Sequence, residues 1–488
     1  MSSLKSFFKD TIIYGIAAVA PRVISIALVP VFTTVLGRAE FSDQTTWYVY
    51  AAFINVLLTL GMETAFFRFY TSEKNKENVL SSSLSLLMFS GVVFAIIGTL
   101  LSKYVSASLG FSDPLFIKIL VWTTVLDTLV VIPYALLRVT NRPIKFMFIK
   151  VVNVLIWFVL TSFFLLFLPK LSIENSELLS NLGLSTPYKP GVFHIVLANL
   201  LASFITLLLL LPEILKIRWK LDKSLINKML RYSLPIMIGG IAYVINENID
   251  KLIIQRLIDK EANGVYSACY KLGVFMTLYI TAFRMGAEPF FFNQAASADA
   301  KQKYSKIMTW FVIFGCLFMV FVVGFLDIFA GLFIRQKEYL PGLVIVPVIL
   351  LANLFSGIYN NLAIWYKLTD RTKFGMYISI LGAILTVGSL LVFVPLFGIM
   401  GGAWATLFTY VTMAAISYYF GSKYYPVAYE IKKVLFYIVV SVGLSYLSFV
   451  LFRGNYYVSI ANIIILLGAV FIIEIGRVSN FKAFLKGK

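Results

Sequence analysis

Residues 12–36 read Ile12-Ile-Tyr-Gly-Ile-Ala-Ala-Val-Ala-Pro-Arg-Val-Ile-Ser-Ile-Ala-Leu-Val-Pro-Val-Phe-Thr-Thr-Val-Leu36. At 1.5 Å per helical residue such a run reaches roughly 38 Å, more than the ~30 Å hydrocarbon core of a bilayer. It is too long for the apolar region of a cleavable signal and lacks a small-x-small exit, so it is expected to be a first membrane helix. Its single charge, Arg22, falls near mid-membrane, where a guanidinium is costly and is by default a functional candidate.

The rest of the 488-residue chain follows the same pattern. Hydrophobic residues make up 60%, charged residues 13%, and the mean hydropathy is +0.88. Soluble proteins are about 45–50% apolar and about 25% charged, so this chain has too few polar side chains to coat a water-facing surface. About fourteen runs are long enough to span, centred near residues 23, 57, 91, 126, 157, 203, 243, 277, 315, 354, 385, 411, 441 and 466. They are continuous rather than alternating, which excludes a β-barrel. The expected fold class is therefore an all-α integral membrane protein.

The net charge of +19 is explained by topology. With the N-terminus in the cytoplasm, inside loops hold about 27 cations against about nine outside, and an even helix count returns the C-terminus to the same side. Nucleic acid loses its main support. Both termini are then expected on the cytoplasmic side of the membrane. Loops are short. The longest outside loop runs from about Lys170 to Pro190. A basic inside connector carries Lys216, Arg218, Trp219, Lys220 and Lys223 and is suited to the surface of the inner leaflet.

A weak repeat with an offset of about 222 residues relates Leu36-Gly-Arg-Ala-Glu-Phe-Ser to Leu257-Ile-Asp-Lys-Glu-Ala-Asn-Gly, and Gly61-Met-Glu-Thr-Ala-Phe-Phe-Arg-Phe to Arg284-Met-Gly-Ala-Glu-Pro-Phe-Phe-Phe. An offset of six helices keeps one orientation. It predicts two six-helix bundles related by a pseudo-twofold axis along the membrane normal, plus two C-terminal helices. The expected divisions are 1–215 (first lobe), 216–231 (cytoplasmic connector), 232–425 (second lobe) and 426–488 (two further helices and a cytoplasmic tail). Pro21, Pro30 and Pro235 are candidate kinks for a gate, or ordinary membrane-helix prolines.

Charges inside spans concentrate on the first two helices of each half: Arg22; Glu63 and Arg68; Glu247, Asp250 and Lys251; Lys271, Arg284 and Glu288. Faces so charged should line a wet cavity. Glu247 and Lys251 stand four apart, as do Arg284 and Glu288, so each pair can meet on one helix face either as cavity lining or as a structural ion pair. Arg68 and Glu288 lie close enough to a surface to snorkel. Asp127 adds a carboxylate on the fourth span. Glu63, Asp127, Glu247 and Glu288 are candidates for coupling to an ion gradient, H+ or Na+. There is no Walker-type loop, hence no ATP site, and no His-Glu-x2-His or Gly-x-Ser-x-Gly. No Cys/His metal pattern is readable. The chain is expected to be a transporter rather than an enzyme, with no cofactor and no metal.

Three stretches resemble a known family. They are Asp10-Thr-Ile-Ile-Tyr-Gly through Val29-Pro-Val-Phe-Thr-Thr-Val-Leu with Gly61-Met-Glu-Thr-Ala-Phe-Phe-Arg-Phe; Tyr232-Ser-Leu-Pro, Asn248-Ile-Asp-Lys-Leu-Ile-Ile and Ala262-Asn-Gly-Val-Tyr-Ser-Ala-Cys-Tyr-Lys-Leu-Gly; and Val394-Pro-Leu-Phe-Gly-Ile-Met-Gly-Gly-Ala-Trp-Ala-Thr. In order and spacing they are similar to the bacterial polysaccharide (O-antigen and capsule type, Wzx-type) flippases of the multidrug/oligosaccharidyl-lipid/polysaccharide exporter superfamily. The resemblance implies a V-shaped, MATE-like carrier of fourteen helices. Its cargo would be an undecaprenyl-(pyro)phosphate-linked oligosaccharide, moved from the inner to the outer leaflet through a cation-lined cavity. It also implies membrane lipids, polysaccharide polymerases and glycosyltransferases as partners. Arg22, Asp250-Lys251 and Lys271 match the family's charged cavity helices. The buried charges on those helices are five bases (Arg22, Arg68, Lys251, Lys271, Arg284) against four acids (Glu63, Glu247, Asp250, Glu288), only mildly basic. A multidrug antiporter and a lipid II flippase of the same superfamily therefore stand as alternatives.

Overall fold

The computed structural model describes residues 2–111, 113–174, 188–217, 219–295 and 297–475. Among these every regular element is helical: α1 (Ser2–Ala27), α2 (Val29–Val35), α3 (Arg38–Thr59), α4 (Met62–Ser72), α5 (Lys76–Leu109), α6 (Pro114–Val139), α7 (Pro143–Ser162), α8 (Leu168–Glu174), α9 (Val192–Leu215), α10 (Lys223–Leu257), α11 (Lys260–Gly273), α12 (Phe275–Gln294), α13 (Ala300–Gly324), α14 (Leu326–Phe333), α15 (Val346–Leu362), α16 (Ile364–Leu368), α17 (Lys373–Phe397), α18 (Ile399–Tyr424), α19 (Ile431–Tyr446) and α20 (Tyr456–Val470). Lipid offers no partners for backbone N–H and C=O groups, so each segment must satisfy its own. The ends follow local chemistry. Asn75 and Asp222 accept from backbone N–H groups at the starts of α5 and α10, and Asp113 followed by Pro114 opens α6.

Among the described residues, thirteen of the expected fourteen spans appear as helices long and apolar enough to cross a membrane. The remaining one, expected near residue 277, is α12, which is less apolar because Arg284 and Glu288 interrupt it. The cations Arg218, Arg477, Lys482, Lys486 and Lys488 lie outside the described residues, as does most of the long loop expected to end at Pro190.

Contacts divide the chain into two compact units. One comprises Met1–Ser267 with Ser379–Leu391, the other Ala268–Ile378 with Val392–Lys488. The division comes later than the seam expected at 231–232, because α10 packs on α3, α4 and α5 within the first unit. The cause is visible at residues 60 and 61. Leu60 (φ 50°) and Gly61 (φ 66°) break the second span into α3 and α4, and a Cβ on Gly61 would stand 2.7 Å from the Ser233 carbonyl oxygen of α10. Only glycine lets the two backbones approach so closely. Below this crossing Met62, Phe66, Leu84, Leu87, Ile132 and Met229 interlock with no solvent exposure to speak of.

The 222-residue offset reappears in the elements. The broken pair α3/α4 starts at Arg38, and the broken pair α11/α12 starts at Lys260. Of the three kink candidates, Pro30 sits at the start of α2, just after the helix break at Leu28, whereas α1 runs on through Pro21 and α10 through Pro235.

Gly61→Ala is expected to cost about 2 kcal/mol or more, combining left-handed strain with a backbone clash. Gly110→Ala has the same strain (φ 75°) with nothing within 4 Å and should cost about 1 kcal/mol. Thermal unfolding of the two purified variants in detergent checks this. Equal losses would remove the close-packing explanation.

Candidate functional site

Within the first unit α6 packs against α3, α7 and α9. Polar groups stand among apolar ones on their facing surfaces, with Val130 and Val131 beside them. Asn55, Thr59 and Glu63 from α3 and α4, Asp127 and Tyr134 from α6, Phe146, Lys150 and Asn153 from α7, and Thr206 from α9 enclose a cavity of about 420 Å³. A water molecule takes about 30 Å³ of liquid volume, so the space admits several. Ser203 Oγ donates to Asp127 Oδ1 at 2.7 Å, and Asn153 Nδ2 donates to Thr206 Oγ1 at 2.8 Å. The Lys150 ammonium stands 4.2 Å from the centre of the Tyr134 ring. Glu63 at the rim takes Arg138 at 2.8 Å. A second cavity of about 150 Å³ shares Asn153 as a wall and is closed by Tyr48, Trp157 and Asn199, with Asn199 Nδ2 donating to the Tyr48 hydroxyl at 3.1 Å. Charged and polar groups thus follow one another through the inside of a bundle whose outside faces lipid.

Two of the coupling candidates, Glu63 and Asp127, are therefore brought to one cavity. α7 begins at Pro143, just past the basic turn of Arg138 and Arg142, and carries Lys150 two turns into the helix. The signal was the spacing of Phe146, Lys150, Asn153 and Trp157, one face of a helix.

The cluster on α10 is built differently. Asp250 and Lys251 are only 4% and 6% exposed and pair at 2.8 Å. The Tyr266 hydroxyl donates to Asp250 at 2.7 Å, and Lys251 Nζ donates to the Glu247 carbonyl oxygen at 3.0 Å. Lys251 thus pairs with its neighbour in sequence, and what it takes four residues back includes the backbone carbonyl of Glu247. Such a buried pair is tolerable because each charge has its opposite beside it and further hydrogen bonds from Tyr266 and to the Glu247 carbonyl. Arg22 is half-buried on α1. Arg68 is exposed and lies 4.3 Å from the Tyr232 ring.

In the second unit Lys271 is half-buried on α11. Arg284, 60% exposed, meets Glu288 only at 3.9 Å. The closer partner of Glu288 is Lys367, at the end of the span that α15 and α16 form. Arg284, Glu288, Asn360, Asn361 and Lys367 edge one crevice, backed by Phe283, Phe291 and Phe311. The i,i+4 spacing found the acid but missed Lys367, which is remote in sequence. In this crevice two cations share one carboxylate, so an incoming anion has a cation to take.

Lys150→Met alone should lose more stability than Lys150→Met combined with Asp127→Asn, because the double variant leaves no uncompensated carboxylate. A coupling of about 1–3 kcal/mol is expected from unfolding of the single and double variants. Additive losses would mean that the two groups do not interact.

With this geometry described, the chain can be compared with known proteins. Residues 7–294 match a family model described as polysaccharide biosynthesis protein, and residues 235–389 match the MatE model. An uncharacterized membrane protein of Methanocaldococcus jannaschii is 24% identical over 192 residues, which cover 38% of this chain and 44% of that protein; the chain thus spans under half the length of that relative. Among solved structures, a lipid II flippase MurJ in an inward closed conformation superimposes with a TM-score of 0.74 at 15% identity, covering 96% of this chain and all of that one. An inward-facing multidrug resistance MATE family transporter gives 0.67 at 13% identity over 84% of this chain and 97% of that one. A transporter from Pyrococcus furiosus, described as having reversed polarity in its binding pocket, gives 0.60 at 13% identity over 86% and 95%. The first family match covers more than half of the chain, and the chain belongs to the polysaccharide biosynthesis protein family.

Proposed function

We propose that this multi-pass membrane protein is a flippase. It moves an undecaprenyl-(pyro)phosphate-linked oligosaccharide from the inner to the outer leaflet of the cytoplasmic membrane, for O-antigen, capsule or exopolysaccharide assembly. The observation that carries this reading is the family match over residues 7–294, together with ionisable side chains placed in polar clefts inside otherwise apolar bundles.

The proposed mechanism is alternating access. The cargo is an anion with a sugar head and an apolar tail. Its phosphate needs cations, its hydroxyls need water and amides, and its tail can remain in lipid. Arg284 and Lys367, with Asn360 and Asn361 beside them, offer both kinds of partner in one crevice. Glu288 competes with the phosphate for the same cations, so loading requires that it yield them. Arg22 and Lys271 are assigned to the phosphate at later stages of the passage. Asp127 and Glu63, lining a cavity with Lys150, are assigned to coupling with a proton or sodium gradient. A carboxylate there can bind a cation while Lys150 stays over Tyr134 and can draw Lys150 toward it when that cation leaves. Both termini are assigned to the cytoplasm, and glycosyltransferases and polymerases that make and use the cargo are the expected partners.

One observation favours a second reading. The MatE match and the two carboxylates of the first unit's cavity would also suit a multidrug antiporter for organic cations. Proteoliposomes offered a fluorescent lipid-linked oligosaccharide, lipid II and ethidium separate the three cargoes. Flipping of the oligosaccharide lipid alone is expected, falling roughly tenfold or more in Arg284→Gln and Lys367→Gln, as loss of a charge-assisted contact of about 1.5–3 kcal/mol requires. Asp127→Asn should remove the dependence on an imposed ion gradient. Ethidium uptake without lipid flipping would replace this reading by the antiporter. Unchanged flipping in both cation variants would remove the phosphate role of the crevice.

A further inference from the structure

The positive-inside pattern predicts few cations at the outer ends of helices. In the second unit most loop cations, among them Lys303, Lys306, Arg371, Lys423 and Lys432, lie at the end where α13 and α19 begin. At the opposite end three cations gather around one cavity of about 390 Å³: Arg335, Lys337 and Arg453. Its walls come from α14, the 3-10 turns Lys337–Ile345 that follow, and the short connection between α19 and α20. One acid, Asp327, also lines it. Asp327 holds Arg453 in a fork, with Nη2 donating at 2.7 Å and Nε at 3.1 Å to Oδ1, and the guanidinium lies 4.8 Å from the Phe449 ring. The cavity thus has two positive charges in excess, one cation held rigid by its acid, and Gln336 as a further polar group.

The depth and surroundings point to a lipid. α13 has 25 residues, roughly 38 Å of helix, so its end at Gly324 stands at headgroup level. The cavity's neighbours are apolar and exposed: Leu332 (53%) on α14, Leu451 (57%) before Arg453, and also Ile328, Phe452 and Tyr457. A water-filled pocket for a soluble anion has no use for such a rim, whereas a phosphate with acyl chains attached uses both parts.

We propose that this cavity binds the phosphate of an anionic membrane lipid at the outer interface, with Arg335, Lys337 and Arg453 around the headgroup and Leu332, Leu451 and Phe452 against the chains. The site lies apart from the crevice of Arg284 and does not depend on the cargo being an oligosaccharide lipid. Native mass spectrometry of the full-length protein tests it, with phosphatidylglycerol, phosphatidylcholine and inorganic phosphate as separate additions. Phosphatidylglycerol is expected to bind with a preference over phosphatidylcholine. That preference should fall roughly tenfold or more in the double variant Arg335→Gln/Lys337→Gln, which keeps the Asp327–Arg453 fork. Lys103→Gln, at an exposed outer position of the first unit, should leave the preference intact. An equal unfolding temperature for the double variant would exclude misfolding as the cause. Equal binding of the two lipids, a preference unaffected by the double variant, or displacement of phosphatidylglycerol by millimolar inorganic phosphate would each overturn the proposal.

Discussion

A bilayer supplies neither hydrogen-bond partners nor counter-ions, and every other feature of this protein answers to that. The backbone answers it with helices whose polar groups are satisfied within each segment. The ionised side chains answer it by turning away from lipid, toward one another or toward water. Asp250 and Lys251 take the first course, sealed with Tyr266. Asp127, Lys150 and Glu63 take the second, around a cavity large enough to be wet.

These two arrangements have different consequences. In a sealed pair, breaking the contact would leave a charge stranded, so it fixes α10 against α11. A wet cluster keeps its charges at modest cost and can exchange partners, which is what a coupling site or a phosphate relay requires. The crevice of the second unit lies between these extremes: Glu288 is shared by Lys367 and Arg284, and Arg284 remains largely exposed.

Close packing is what aims these groups. Where α3 gives way to α4, Gly61 lets the α10 backbone come within reach of a missing Cβ, and α10 thereby joins the first unit although by chain position it opens the second half. The membrane spans were legible from hydropathy because a twenty-residue apolar run has almost no other fate. The single shortfall, α12, is informative: Arg284 and Glu288 lower its hydropathy because the helix serves a polar crevice.

The sequence by itself determined the all-helical membrane fold class, the position of thirteen spans among the described residues, and the family. These follow from local composition and motif order. Which charges meet was decided only by the tertiary structure. Spacing along one helix suggested Glu247 with Lys251 and Arg284 with Glu288; the structure adds Asp250 as the ion-pair partner of Lys251 and Lys367 as a closer partner of Glu288 than Arg284. Lys150 shares a cavity with Asp127 across the bundle, with its ammonium over the Tyr134 ring. The physical reason is that ion pairing depends on the rotation and register of neighbouring helices, which packing sets, and not on the distance between residues along the chain.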